Sequence, residues 1–287
     1  MRWKKSSGKS GIKMCIAAGF LAVFCCVLAG RHGFREKADP VPEMVNEPAE
    51  EAVLPVSAEE EELLSALYAA MEQGSLRAAA RILNENETEF RAMVQETLGG
   101  KQYCYYEETG ADGRNIHRLE EAVPEGEMHG LVLTRFNTAF CGDFRNGKPE
   151  GKCTAVQAMV LKEPRYTYAA GTWAEGRMNG EGVTGYCYYE NVPESGFVMT
   201  EKAGIYLDNL LDGEFTYTTE SAKGERLSWN IEAEKGVTVL SERWAHYEDR
   251  KEYMLPSNED ASRAYVLKED QTGSVLWNNL ILWDDKN

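Results

Sequence analysis

Sequence signatures of catalysis are scarce in this chain. There is no GxSxG, no HExxH and no P-loop, and no pair of its seven cysteines has the CxxC spacing of a metal site. Histidine is rare, four in 287 residues, and His117, His129 and His246 are widely spaced and near no Ser or Cys motif. These gaps argue against nucleophilic hydrolases, zinc enzymes and nucleotide hydrolases, so the chain is read as a non-enzyme with no metal or cofactor. Basic charge is also in short supply. The chain holds 31 Lys and Arg against 47 Asp and Glu, and residues 38–287 alone carry a net of −23. Such a surface repels phosphate backbones, which excludes nucleic acid as a partner.

Long apolar runs are missing except one. Met14 to Gly30 (MCIAAGFLAVFCCVLAG) contains no charge and follows the basic stretch Met1 to Lys13. Seventeen residues at about 1.5 Å each span roughly 25 Å, short but adequate for a bilayer core. A basic segment before an apolar one is an export or insertion signal. Cleavage after Ala29 would release the mature chain as a secreted structural protein. The flanking Arg31, His32, Arg35 and Lys37 favour an uncleaved anchor instead. The positive-inside rule then leaves residues 1–13 as a cytoplasmic tail, 14–30 as a single-pass membrane helix and the body outside the cytoplasm.

Residues 31–56 read as an acidic Pro/Glu linker without periodicity. From Ser57 the spacing predicts a helical hairpin over 57–98. Ser57 is a good N-cap, Glu59 to Glu62 suit the helix dipole, and Leu63, Leu64, Leu67, Ala70 and Met71 recur at helical spacing up to Gly74-Ser75.

Beyond Gly100, aromatics and glycines replace that pattern, and the glycines are periodic. FCGDFRNGKPEGKC (140–153) lies over AAGTWAEGRMNGEG (169–182) at an offset of 29, pairing Gly142, Gly147 and Gly151 with Gly171, Gly176 and Gly180. KAGIYLDNLLDGEF (202–215) is a third copy, keeping Gly204 and Gly213. Worn copies are expected around Gly126 and Gly130, and around Trp229 and Gly236, the latter aligned on Tyr206 and Gly213. The pentapeptide YCYYE, at 103–107 and 186–190, reads as a rung of the same array, its first copy marking where the array begins.

This aromatic-x-Gly-x-aromatic-x-x-Gly-x-x-x-Gly pattern resembles the MORN repeat family, and with the anchor it resembles a membrane-anchored bacterial member. The resemblance implies hairpins stacked into an elongated antiparallel sheet. The fold expected is therefore mainly β: a MORN-type sheet over 99–236, a helical hairpin and one N-terminal transmembrane helix before it, and a β cap over 237–287 in which Val275–Trp283 alternates like a last strand. The helical hairpin would cap the other end.

GEGVTG (180–185) matches the dinucleotide fingerprint, but a strand-forming segment follows where a helix is needed. Phe140, Phe144, Tyr168, Trp173, Tyr206 and Trp229 are either core or a concave aromatic binding face. Cys141 and Cys153, placed about Gly147, are a candidate disulfide. Residues 138–184 carry six basic and five acidic residues, close to neutral, whereas an anionic lipid reader needs a basic face. The function expected is a membrane-anchored, extracytoplasmic binding or scaffold module contacting a protein or an envelope glycan. The alternative is a cell-envelope hydrolase using a carboxylate pair.

Overall fold

The structure, a computed structural model, describes residues 57–94, 103–109, 115–120, 123–159, 164–189, 197–279 and 281–283. All of them belong to one compact unit, residues 52–287. The apolar run at 14–30 and the linker before Ser57 lie outside the described residues. Among the described residues no helix is long and apolar enough to cross a membrane.

Ser57 starts helix α1 (Ala58–Glu72) through a reciprocal cap: the Glu60 amide donates to Ser57 Oγ at 3.2 Å, and the Ser57 amide donates to Glu60 Oε2 at 2.8 Å. Helices α2 (Leu76–Glu85) and α3 (Glu87–Ala92) follow. Where one hairpin was expected, a third short helix completes the segment.

The rest is antiparallel sheet, because β-branched and aromatic residues recur between two-residue turns. The strands are β1 (Tyr103–Thr109), β2 (Asn115–Glu120), β3 (Glu127–Thr134), β4 (Thr138–Arg145), β5 (Lys148–Met159), β6 (Arg165–Ala174), β7 (Arg177–Tyr188), β8 (Phe197–Leu207), β9 (Leu210–Ser221), β10 (Arg226–Glu234) and β11 (Val237–Val239). They form one eleven-stranded sheet, sequential from β3 to β11 and ending β3-β1-β2. The first YCYYE therefore lies one strand in from the edge, which is formed by β2. A separate three-stranded sheet holds β12 (Ala245–Tyr247), β13 (Glu252–Pro256) and β14 (Ala264–Lys268).

The turn Asn146-Gly147 has φ of 49° and 79°. Glu175-Gly176, Asp208-Asn209 and Lys235-Gly236 repeat those values within a few degrees, the type I′ geometry that suits strand twist. Gly236 is thus the tip glycine of its hairpin, matching Gly147 and Gly176 and not Gly213. The fourth copy consequently places Ala233, not Trp229, three residues before its tip glycine.

Each of the hairpins β4–β5, β6–β7 and β8–β9 also carries the same bulge. Pairing jumps from Gly142↔Cys153 to Phe144↔Pro149, from Gly171↔Gly182 to Trp173↔Met178, and from Gly204↔Phe215 to Tyr206↔Leu211. Beyond the bulge one register row crosses seven strands: Gly130, Gly142, Cys153, Gly171, Gly182, Gly204 and Phe215.

The sheet has an apolar core on each face. On one, Leu64, Leu67, Ala79 and Leu83 of the helices pack against Leu131, Leu133, Val156 and Tyr166. Tyr189 Oη donates to Ala80 O at 2.8 Å, and Asn137 Nδ2 donates to Leu83 O at 3.0 Å. The helices therefore cover a face of β3–β6 and do not cap an end, because their apolar stripes need a broad surface and an edge strand offers only backbone. On the other face Phe140, Trp173, Tyr206, Phe215 and Trp229 pack under Trp244, Leu255, Leu267 and Ile281 of the C-terminal region.

Val275–Trp283 is not a strand of the sheet. It crosses the strands as a strap, with a bridge from Val275 to Val237 and a hydrogen bond that the Leu276 amide donates to Gly236 O at 2.7 Å. At its far end the Trp283 ring lies 4.9 Å from Phe140 and 5.7 Å from Phe144.

Candidate functional site

Of the eight glycines that the repeat reading takes as turn glycines, only Gly147 and Gly176 are turn tips, because the others fall within the paired strands. Gly151, Gly180 and Gly213 sit in the bulges at φ of 80°, 127° and 93°, and Gly142, Gly171 and Gly204 belong to the glycine row. A Cβ on Gly171 would stand 2.4 Å from Glu181 O, so here the bare backbone admits the neighbouring strand. At Gly182 side chains fill the space, since a Cβ there would meet Met178 Cε at 2.3 Å and Tyr206 Cδ2 at 3.3 Å. The glycine row is a trough, and aromatic side chains lie along it.

Phe140, Phe144, Trp173, Tyr206 and Trp229 share one face, but it is closed. Trp173 is 1% exposed and its Nε1 donates to Cys153 O at 2.9 Å. Tyr206 Oη meets Thr184 Oγ1 at 2.9 Å, and burial pushes its phenol up to about 12. Tyr168 lies on the opposite, helix-covered face, its hydroxyl donating to Glu201 Oε2 at 2.6 Å. The six therefore form no shared open groove; they pack the two cores.

All four described cysteines are free. Cys141 belongs to the helix-side core and Cys153 to the strap-side core, so no bond joins them. The bulge sets Cys141 opposite Thr154, and Cys153, one residue earlier, projects through the other face. Burial pushes both thiols up. GEGVTG lies inside β7, not at the start of a helix.

Two polar arrangements escaped the sequence reading because each depends on distant segments. His129 of β3 has Asp143 Oδ1 at 2.7 Å from Nδ1 and Glu72 Oε1 of α1 at 3.2 Å from Nε2. Desolvation pulls the imidazole pKa down, but the hydrogen bonds and charges of the two carboxylates outweigh it and the net shift is upward. The Cys141 thiol donates to the same Glu72 oxygen at 3.2 Å. Lys202 is the second case. Its amine is buried among Tyr217 and Trp277, donates to Trp277 O at 2.6 Å, and is pulled down to about 8 by desolvation.

Three surfaces stay open. A cleft of about 670 Å³ runs between α2–α3 and the β3–β4 turn, lined by Leu83, Phe90, Arg91, Val94 and Leu133. Its Arg91 is held by Glu87 at 2.6 Å. A polar groove of about 490 Å³ surrounds His129, Asp143 and Glu150. Where the strap passes β7, its Trp277 joins Arg165, Tyr186 and Tyr188 in an aromatic shelf.

The turns, bulges and glycine row together define an array of like β-hairpins in which each supplies the next with its packing surface. The MORN repeat family model matches residues 140–156 and 170–187, the cores of the β4–β5 and β6–β7 hairpins. The match supports a MORN-repeat protein. No curated protein matches the chain.

Proposed function

We propose that the chain is a membrane-anchored, extracytoplasmic MORN-repeat module of a bacterial envelope that binds or scaffolds a protein or glycan partner. The observation that carries the reading is the array itself. Its register repeats over three hairpins, and its apolar faces are filled by the chain's own helices and strap. A surface fixed in this way loses little freedom on binding, which favours recognition by the outside of the slab. The anchor rests on the basic tail and apolar run of residues 1–30.

The test is crosslinking of the full chain in intact cells, combined with fractionation and protease treatment from outside. The expected result is a membrane-bound chain, digested from outside and crosslinked to a partner. Recovery in the soluble cytoplasmic fraction would remove the anchor reading. Recovery of the chain joined only to itself would replace partner binding by self-association.

A further inference from the structure

The aromatic shelf is left unexplained by the packing of the core. Two register rows beyond the glycine trough contain no carboxylate, although the chain holds 47 acidic residues; the inner one runs Phe140, Ala155, Ala169, Thr184, Lys202 and Tyr217. The outer row runs Thr138, Gln157, Thr167, Tyr186, Thr200 and Thr219 across β4–β9. At the strand ends next to it Arg165 pairs with Tyr188. The Arg165 guanidinium lies 4.9 Å from the Tyr186 ring centre and 5.8 Å from that of Tyr188. The Tyr186 and Tyr188 rings are 5.6 Å apart, and Trp277 continues the line 6.5 Å from Tyr186.

Trp277 is 64% exposed although Lys202 grips its carbonyl, so the strap is pinned while the indole faces water. A large apolar ring kept outside a well-packed molecule, beside two further rings and a cation, is an informative exposure.

We infer that Arg165, Tyr186, Tyr188 and Trp277 form a binding platform for an acidic glycan, a sugar chain bearing carboxylates. The inference rests on the extracytoplasmic binding reading above and names the partner class for it. Aromatic faces stack on the C–H faces of sugar rings, and the flanking Thr and Gln side chains suit hydroxyl groups. The Arg165 guanidinium, its Nε buried and its Nη1 donating to Tyr188 Oη at 3.5 Å, supplies a held cation that a carboxylate matches. Charge decides among glycans: Arg165 supplies a cation at the strand ends and the outer row beside it carries no acid, so a carboxylate meets attraction here and repulsion over much of the remaining surface. Trp277 is exposed and Arg165, Tyr186 and Tyr188 are half-buried, so their faces can meet a chain lying across them.

The test uses the full chain in detergent micelles and follows tryptophan fluorescence and calorimetry. The probes are uronate oligosaccharides (alginate, polygalacturonate and hyaluronate) against the neutral oligomers of dextran and cellulose. At least one uronate series should bind, and Trp277→Ala or Tyr186→Ala should each weaken it about tenfold. Arg165→Gln should remove the preference for uronate over neutral sugar, while Ile205→Ala, an exposed site in neither core, should leave binding unchanged. Equal binding of neutral and acidic oligomers would overturn the acidic assignment. Loss of binding in the Ile205 variant alone would overturn the location. If no sugar binds while cell crosslinking still yields a protein partner, this inference fails and the module reading stands. If both fail, the module reading falls as well.

Discussion

Gly171 and Gly147 are the same residue type under different constraints. Gly171 stands at φ 153° with Glu181 O 2.4 Å from where its Cβ would be, whereas Gly147 at φ 79° has open space around it. Gly171→Ala must force two strands apart and should cost about 3 kcal/mol, against about 1 kcal/mol for Gly147→Ala, which meets only the left-handed backbone penalty. Urea denaturation of the two variants distinguishes them; equal losses would mean that the trough tolerates side chains. Lys202 gives a pH test. Its amine is pulled from an ordinary 10.5 down to about 8, so between those values the unfolded chain binds the proton and the folded chain does not. Stability relative to Lys202→Met should therefore rise from pH 8 to pH 10.5 and stay level below pH 8.

At the scale of elements, the helices and the repeat sheet meet through His129, which joins Glu72 of α1 to Asp143 of the β4 bulge. Other charged neighbours are the Glu127–Arg145 pair, 2.9 Å apart, and Glu150 across the groove. The folded imidazole pKa is raised, so the protonated form is the one that stabilises docking. That contribution is fully present below the ordinary histidine value, about 6.5, and is lost as pH rises through the folded value. The stability difference between the native chain and His129→Gln should be largest at low pH and vanish on the alkaline side. Amide exchange of α1 should follow the same course. A pH-independent difference would show that the contact acts through packing alone.

For the whole compact unit, two apolar cores share one sheet, and the strap closes one of them. Trp283 contacts Phe140 and Phe144 and sits over Gly176, where a Cβ would come within 3.0 Å of its ring. Trp283→Ala should lower stability by about 2 kcal/mol, below the range for a fully buried indole because this one is only half-buried. Because the sheet backs both cores, fluorescence and far-UV circular dichroism should still report one coincident transition. Two separated transitions would mean that the helix side and the strap side unfold independently.

What the sequence determined by itself was local. Repeat spacing, the Ser57 cap and the change from helical to β character after Gly100 follow from the preferences of a few neighbouring residues, and such preferences survive without knowledge of the fold. What covers each face was decided only by tertiary structure. The two YCYYE strings make the point. In the first, Cys104 pairs with Val132 and points to the strap-side core. In the second, Cys187 pairs with Tyr166 and points to the helices. An identical pentapeptide faces opposite ways because a strand's orientation is set by its register with its neighbours, and a shift of one residue inverts it. The same cause separates Cys141 from Cys153 across the sheet. It also buries the aromatic row that the sequence left open between core and binding face, since the strap that covers it lies up to 143 residues further along the chain.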